Sequence, residues 1–314
     1  MRCFLLSLFV LTLGAPMFAQ GLPPYIPVNP VQTARSGLYT QPYIDSGKAW
    51  EFRALMDLAN MIEYQGRPGS RIVLDAEVLR VDLTATRNLG PGFIGASIGF
   101  NASNDGFLDG FLDWYHNLTG LQVAAREVRP RNRFEYLIQT PAGDSIAYPK
   151  HRGFLGDLRL MAGHRHTRHW QTALSVTLPV GAPEGYGRRV ASASLLTTAR
   201  AELNERWTAE GGIGLGTTPK HGDLSEYQRT VFASANGGVR FRFWGQQAAF
   251  INLFYHTPTY RGTTVKPLDN PELTLDYGFL LKAKKGPEWF FGMTEDLLPS
   301  GPAVDLSFRI GMRW

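Results

Sequence analysis

Four side chains in the stretch NDGFLDGFLDWYHNLTGL (104–121) have the types and spacing that proton chemistry uses. Asp105, Asp109, Asp113 and His116 follow one another at intervals of four, four and three, so on a helix they return to one side. A carboxylate beside an imidazole begins a general-base couple, in which the acid orients the ring and stabilises its charged form. Asp109, Asp113 and His116 are therefore the candidate catalytic residues, and a hydrolase of lipid A or phospholipid is the activity they would serve. A nucleophile is harder to find. Ser97 and Ser103 are near only in sequence, and no nucleophile motif surrounds them. The competing reading is an amphipathic helix over 105–118, capped by Asn104 or Asp105. Its apolar face (Phe107, Leu108, Phe111, Leu112, Tyr115, Leu118) would then pack or lie in an interface while its acids meet water.

Two further motifs invite chemistry and carry less. GHRHTRHW (163–170) offers His164, His166 and His169 as metal ligands, but the stretch reads as a solvated basic turn. GGIGLG (211–216) has the glycines of a phosphate loop without the helix that must follow, so it reads as a strand. No metal or cofactor is assigned from either. The single cysteine, Cys3, lies in an expected export signal (1–19: Arg2, then an apolar run from Phe4 to Leu13), which leaves the mature chain without thiol chemistry. The balance of 32 basic to 27 acidic residues is spread along the chain, unlike the clustered charge of a nucleic-acid binder.

The elements that must position these residues are strands. Trp50, Phe52, Ala54, Met56 and Leu58 share one face, opposite Glu51, Arg53 and Asp57, and the same period of two recurs through the chain. It predicts twelve strands: two within 50–87, then 92–100, 154–163, 169–178, 190–203, 206–216, 230–244, 247–257, 272–284, 287–295 and 303–314. In 72–85 the apolar phase slips near Leu79–Arg80, which is read as a β-bulge. Short connections (88–91, 164–168, 204–205, 245–246, 285–286) alternate with longer ones (101–153, 179–189, 217–229, 258–271). That sorting is the habit of outer-membrane barrels, with tight periplasmic turns and longer external loops. No stretch after the signal is apolar enough for a membrane helix, whereas alternating strands in a closed barrel need none.

The expected architecture is therefore a signal peptide (1–19), an irregular Pro-rich periplasmic segment (20–47) and a single closed twelve-stranded antiparallel barrel (48–314), all-β, with a short helix in its long outer loop. The last strand, VDLSFRIGMRW, pairs with the first. Its outward face (Phe308, Ile310, Met312, Trp314) is similar to the C-terminal signal that the barrel-assembly machinery reads. If apolar sets face lipid, the lumen receives charges of both signs. Arg53, Asp57, Glu77, Arg159, Arg200, Arg240, Arg242, Asp276 and Arg309 are the residues assigned to it, beside Asp305 and others.

The segments VLDAEVLRVDLTATRNLGPGFIGASIGF (73–100), GFLDGFLDWYH (106–116) and TEDLLPSGPAVDLSFRIGMRW (294–314), with the early Asn29-Pro30, resemble an uncharacterised family of Gram-negative outer-membrane barrels, a domain of unknown function. The resemblance implies location and fold, and leaves activity open. Three functions remain: a narrow channel or binding barrel for a small hydrophilic solute, a lipid-modifying hydrolase using His116, and a non-conducting structural barrel. The expected surroundings are outer-membrane lipid and lipopolysaccharide, with both termini periplasmic and no nucleic acid. Either the loop helix or the Pro-rich N-terminus could plug the bore.

Overall fold

The computed structural model describes residues 21–36, 38–45, 47–67, 69–120, 129–282, 286–298, 301–302 and 306–314. The export signal expected at 1–19, and Asp305 of the last strand, lie outside the described residues. Twelve antiparallel strands form the wall. They are β1 (Trp50–Arg67), β2 (Ser70–Leu89), β3 (Gly92–Asn104), and, after a small hairpin β4 (Glu135–Gln139) and β5 (Ser145–Ala147) in the long loop, β6 (Phe154–Thr167) and β7 (Trp170–Leu178). The rest are β8 (Ser192–Glu202), β9 (Trp207–Thr217), β10 (Val231–Trp244), β11 (Gln247–His256), β12 (Glu272–Lys282), β13 (Glu288–Asp296) and β14 (Leu306–Arg313).

Each wall strand pairs with its neighbour, and β14 returns to β1, with Arg53 opposite Arg313 and Asn60 opposite Leu306. Trp314 and Phe52 exchange both backbone hydrogen bonds at 3.1 Å, so pairing with β1 runs to the last residue. Closure matters because an unpaired strand edge in lipid would leave amides costing several kcal/mol each, roughly, without water to satisfy them.

The outer surface is apolar where a soluble protein would hide such groups. Leu83, Leu174, Ile213, Leu215 and Phe279 are between 52% and 67% exposed. Aromatic rings gather near the end that carries the short turns. Trp50 stacks on Phe52 and Phe52 on Trp314, each pair with centroids 5.7 Å apart, and Trp207 lies 4.7 Å from Phe241. Such rings suit the boundary between hydrocarbon and water.

The bulge expected near Leu79–Arg80 is absent. β1 and β2 pair in one unbroken register from Trp50 opposite Arg87 to Arg67 opposite Ser70. What changes along the hairpin is the surroundings of each face. In its lower half Arg53, Leu55, Asp57, Arg80 and Asp82 face the bore, and Met56, Val81 and Leu83 face out. In its upper half the inward set is Ala59, Met61, Ile72, Leu74, Ala76 and Val78. These join Tyr136 and Ile138 of β4, Tyr186, Leu224, Tyr260 and Leu268 in one buried apolar cluster. Asp75 and Glu77 therefore face outward, with Asn60 beside Glu77 across the pair. The phase of the strand is constant, and the polarity of its two sides exchanges.

Candidate functional site

Of the two candidate plugs, it is the Pro-rich segment that lies inside the barrel, packed against the wall rather than projecting from it. Leu22, Tyr25, Ile26, Val28, Val31, Leu38, Tyr39, Tyr43 and Ile44 are all buried. Residues 21–28 climb from the turn end of the bore to the loop end. A one-turn helix, α1 (Pro30–Thr33), reverses the chain, and residues 38–45 descend toward β1. Asn29 caps α1 by accepting from Val31 N at 2.9 Å, and Pro30 at the first helical position has no N–H to waste. The two arms touch where Thr40 N donates to Tyr25 O at 3.0 Å.

Because the segment is not a strand of the sheet, several of its backbone groups are satisfied by side chains of the wall. Glu210 accepts from Tyr43 N at 3.0 Å and from Leu22 N at 3.4 Å, and Gln171 accepts from Ile44 N at 3.0 Å. Side chains anchor the upper part. Gln32 donates to Glu272, whose other oxygen accepts from Tyr25 at 3.0 Å. Ser36 meets His256 Nε2 at 2.5 Å. The His256 Nδ1 contact is a carbonyl, Thr257 O, so Nδ1 donates there and Nε2 accepts from the serine. The glycines of 211–216 also find a use here. A Cβ on Gly214 or Gly216 would stand 3.2 Å from Leu38 Cδ2, so these glycines let the plug lie close against β9.

Charged groups hold the middle of the bore. Arg309 donates to Asp57 and to Asp276, each at 2.6 Å, and to Pro24 O of the plug at 2.6 Å. Arg159 bonds Asp82 at 2.5 Å and Ser97 at 2.7 Å, with its guanidinium 4.3 Å above the Tyr39 ring. Arg188, reaching in from the loop after β7, pairs with Asp157 at 2.8 Å and donates to Ser36 O. Burial pushes Arg188 down to about 10, against the opposing pull of Asp157, so it stays charged at neutral pH.

Space is divided unevenly. On the loop side of these charges a cavity of only about 50 Å³ lies between plug and wall, lined by Val28, Asp157, Arg188 and Tyr186 among others. At the turn end a cavity of about 600 Å³ opens, walled by Tyr43 of the plug segment, by Lys48 just before β1, and by Glu51, Arg200, Arg240, Arg242, Lys282 and Arg313.

Of the nine charges assigned to the lumen, eight face the bore. Glu77 does not. It is buried on the outer side of β2, where its carboxylate accepts from Phe107 N at 2.8 Å, Leu108 N at 2.5 Å and Asn60 at 3.4 Å. It thereby caps the start of α2 (Asp109–Thr119), which begins later than the expected 105. A carboxylate at this end also meets the positive pole of the helix.

The structure turns α2 over relative to the amphipathic expectation. Asp109, Leu112 and His116 are buried, while Phe107, Phe111, Trp114 and Leu118 are exposed. The helix lies outside the barrel, with Phe111 edge-on to the outward Phe308 at 5.5 Å. Tyr115 donates to Glu295 at 2.6 Å, which raises its pKa. Asp109 accepts from Asn60 at 3.0 Å and from Asn132 N at 2.6 Å, and Asp113 pairs with Arg131 at 2.5 Å. The candidate serines are on the other side of the wall. Ser97 is bonded to Asp82 inside the bore, and Ser103 to Tyr186. The strands thus separate His116 from both, and the expected catalytic group is not assembled. Among the three histidines of the turn, His164 and His166 have ring centroids 5.1 Å apart, whereas His169 Nδ1 contacts Arg200 O. No metal-binding cluster occurs among the described residues.

A family described as "Protein of unknown function (DUF3187)" matches residues 29–314. The chain belongs to this family. The matched region begins at the Asn29 cap, so it takes in α1 and the descending arm of the plug together with the whole barrel. None of the curated proteins matches the chain. Among solved structures, the COG4313 outer membrane channel from Pseudomonas putida F1 is similar, with TM-score 0.54 at 11% identity over 86% of this chain and 99% of that one. The NanC porin (TM-score 0.46, 7% identity, 84% of this chain, 98% of that one) and the CymD monoaromatic hydrocarbon channel (0.43, 12%, 91%, 96%) also align. The first likeness is one of fold. This member of the DUF3187 family is a closed twelve-stranded barrel of the outer-membrane type.

Parity places Glu210 among the lumen charges, but sequence reasoning missed its role and the other residues that hold the plug: Gln171, His256 and Glu272 on the wall, and Gln32, Arg35 and Ser36 on the segment. The one available signal was polar residues of hydrogen-bonding type on inward positions facing a segment rich in unpaired amides.

Proposed function

We propose that the protein is an outer-membrane barrel that admits a small hydrophilic solute and is closed by its own N-terminal segment. The observation that carries this reading is the arrangement of residues 21–36 and 38–45. They fill the bore at the loop end, yet they are attached to the wall by side-chain hydrogen bonds and leave a cavity of about 600 Å³ at the other end. A plug held in this way can shift while the wall stays paired, because no wall strand uses it as a ladder partner. Charges of both signs along the path favour a polar solute over an apolar one. Both ends of the wall sheet, Trp50 and Trp314, lie at the end with the short turns, which supports a periplasmic position for the termini. In this reading the outward Ile310, Met312 and Trp314 present the final strand to the assembly machinery, and the apolar band faces lipid.

The test is planar-bilayer conductance of refolded residues 20–314 beside two variants. One lacks 21–45, and the other carries Gln32→Ala, Arg35→Ala and Ser36→Ala. The expected result is a mostly closed wild type and steady unitary steps in both variants. Silence in all three, with barrel folding confirmed by heat-modifiable migration, would leave a non-conducting barrel. The loop helix is not the plug, because α2 sits outside the wall.

A further inference from the structure

At the turn end of the bore, five inward positions on four next-but-one strands bear cations: Arg200 on β8, Arg240 and Arg242 on β10, Lys282 on β12 and Arg313 on β14. Alternate strands supply them, and the strands between supply Glu210, Ala248 and Glu288 at matching heights. Like charges this close repel unless something offsets them. Arg240 lies within electrostatic range of Arg200, Arg242 and Arg313, with Glu288 as the acid that answers them.

The acids nearby are already engaged or peripheral. Glu288 accepts from Arg313, and Glu51 pairs with Arg53 at 3.1 Å. Glu210 faces Arg200 but spends its oxygens on the backbone of Tyr43 and Leu22. Asp45 accepts from Gly47 N at 3.2 Å, and Glu202 and Glu205 are exposed at the rim. The deep wall of the cavity is left basic.

Arg200 is the decisive side chain. It is only 7% exposed, and its Nε and Nη2 have no hydrogen-bond partner. Its guanidinium stands 5.8 Å from the centre of the Tyr43 ring, and the residue lines the cavity. A buried guanidinium with an unused donor edge is costly in a closed structure and useful in a binding one. The edge is a planar fork whose geometry matches two oxygens of a carboxylate or phosphate.

We propose that this cavity is a binding site for a small multivalent oxyanion, bearing carboxylate or phosphate groups, with Arg200 as its anchor and Arg240, Arg242 and Lys282 as supporting charges. A volume of about 600 Å³ is in the range of pockets that enclose small organic molecules. The site narrows the solute-barrel reading to anions and rests on it for its biological use, but binding is measured apart from conduction.

The experiment is calorimetric titration of refolded residues 20–314 in neutral detergent at low salt. The probes are citrate and inorganic phosphate, with spermidine as the cationic control. The expected result is saturable binding of citrate, phosphate or both, none of spermidine, and weakening with added salt. Arg200→Gln should weaken binding about tenfold or more, as for a lost charge-assisted contact. Arg242→Gln and Lys282→Gln, which are only partly buried, keep the test decisive if Arg200→Gln folds poorly. Each should weaken binding several-fold. Absence of anion binding by the folded protein, or equal affinity in all variants, would overturn the site. Anion binding by a protein that never conducts would uphold the site and remove the channel reading.

Discussion

The two ends of the bore are filled by opposite chemistry. At the loop end, Val28 and Val31 of the plug pack against Met61, Ile72, Leu74 and Ala76 of the wall, and Leu268 of a one-turn helix, α3 (Lys266–Asp269), closes the same cluster. Only about 50 Å³ of space remains there, enough for a few waters. At the turn end the wall offers arginines around about 600 Å³. One end is a core and the other is a vestibule. The difference teaches where movement is cheap. Opening the loop end exposes apolar area and breaks a packed cluster of fifteen buried side chains, whereas the turn end is already open. A solute entering from the vestibule meets the plug from its loosely filled side.

The largest effect should come from the girdle of charge between the two ends. Arg309 is 4% exposed and ties β1, β12 and the plug through Asp57, Asp276 and Pro24 O. Arg309→Met leaves two buried carboxylates facing one another, a loss of about 3–5 kcal/mol by the usual cost of breaking a buried ionic group. The urea midpoint of unfolding, followed by tryptophan fluorescence in lipid vesicles, should fall sharply. If Arg309→Met unfolds with the wild type, the two ends are not joined through this girdle and the comparison loses its hinge.

A smaller effect sharpens the contrast within the plug. Val31 is 1% exposed in the loop-end cluster. Val31→Ala removes two buried methyl groups, about 1.5–2 kcal/mol at roughly 0.8 kcal/mol per carbon. Since the plug can open without the wall, the loss should appear as exchange of plug amides, such as Thr40 N, about ten times faster or more. The urea midpoint should move less. Equal acceleration in plug and wall amides would mean that they unfold as one unit.

Much of the wall was legible, because period two survives any error in strand ends. The alternation of Trp50 to Leu58 gave the first strand, and the aromatic end at Trp314 gave its closing partner. The sorting of connections gave the closed topology, and eight of the nine charges assigned to the bore by parity are found facing it. What alternation cannot give is which side of a strand is dry. At Leu79 the change from apolar-in to apolar-out looked like a slipped register, whereas the register is continuous and the coverings differ: plug on one side, loop on the other. The plug itself had no period to read. Its order comes from contacts far along the chain, such as Tyr25 with Glu272 at a separation of 247 and Pro24 with Arg309 at 285. Of the four residues that the spacing put on one side of α2, Asp109 and His116 are buried together, Asp113 is half-buried against Arg131, and Asp105 precedes the helix and pairs with Lys150. Spacing could not say that this face would meet the wall while the aromatic row turned outward.

Glu77 gives the smallest and most local test of that exchange of faces. If it faced the lumen, its replacement would alter the charge of the path and leave the long loop unmoved. On the outer side of β2 it accepts two backbone N–H groups at the entry to α2 and one from Asn60. Glu77→Gln keeps the shape and an accepting oxygen but removes the negative charge from the helix N-terminus and exchanges charge-assisted bonds for neutral ones. The combined loss is about 1 kcal/mol. That is too little to unfold a barrel, but it is enough to raise the fraction of time α2 spends undocked about fivefold. Limited proteolysis of the 105–135 region should quicken by about that factor, while the reversal potential of any conducting variant in a salt gradient stays where it was. A shifted reversal potential with unchanged proteolysis would return Glu77 to the bore and, with it, the bulge.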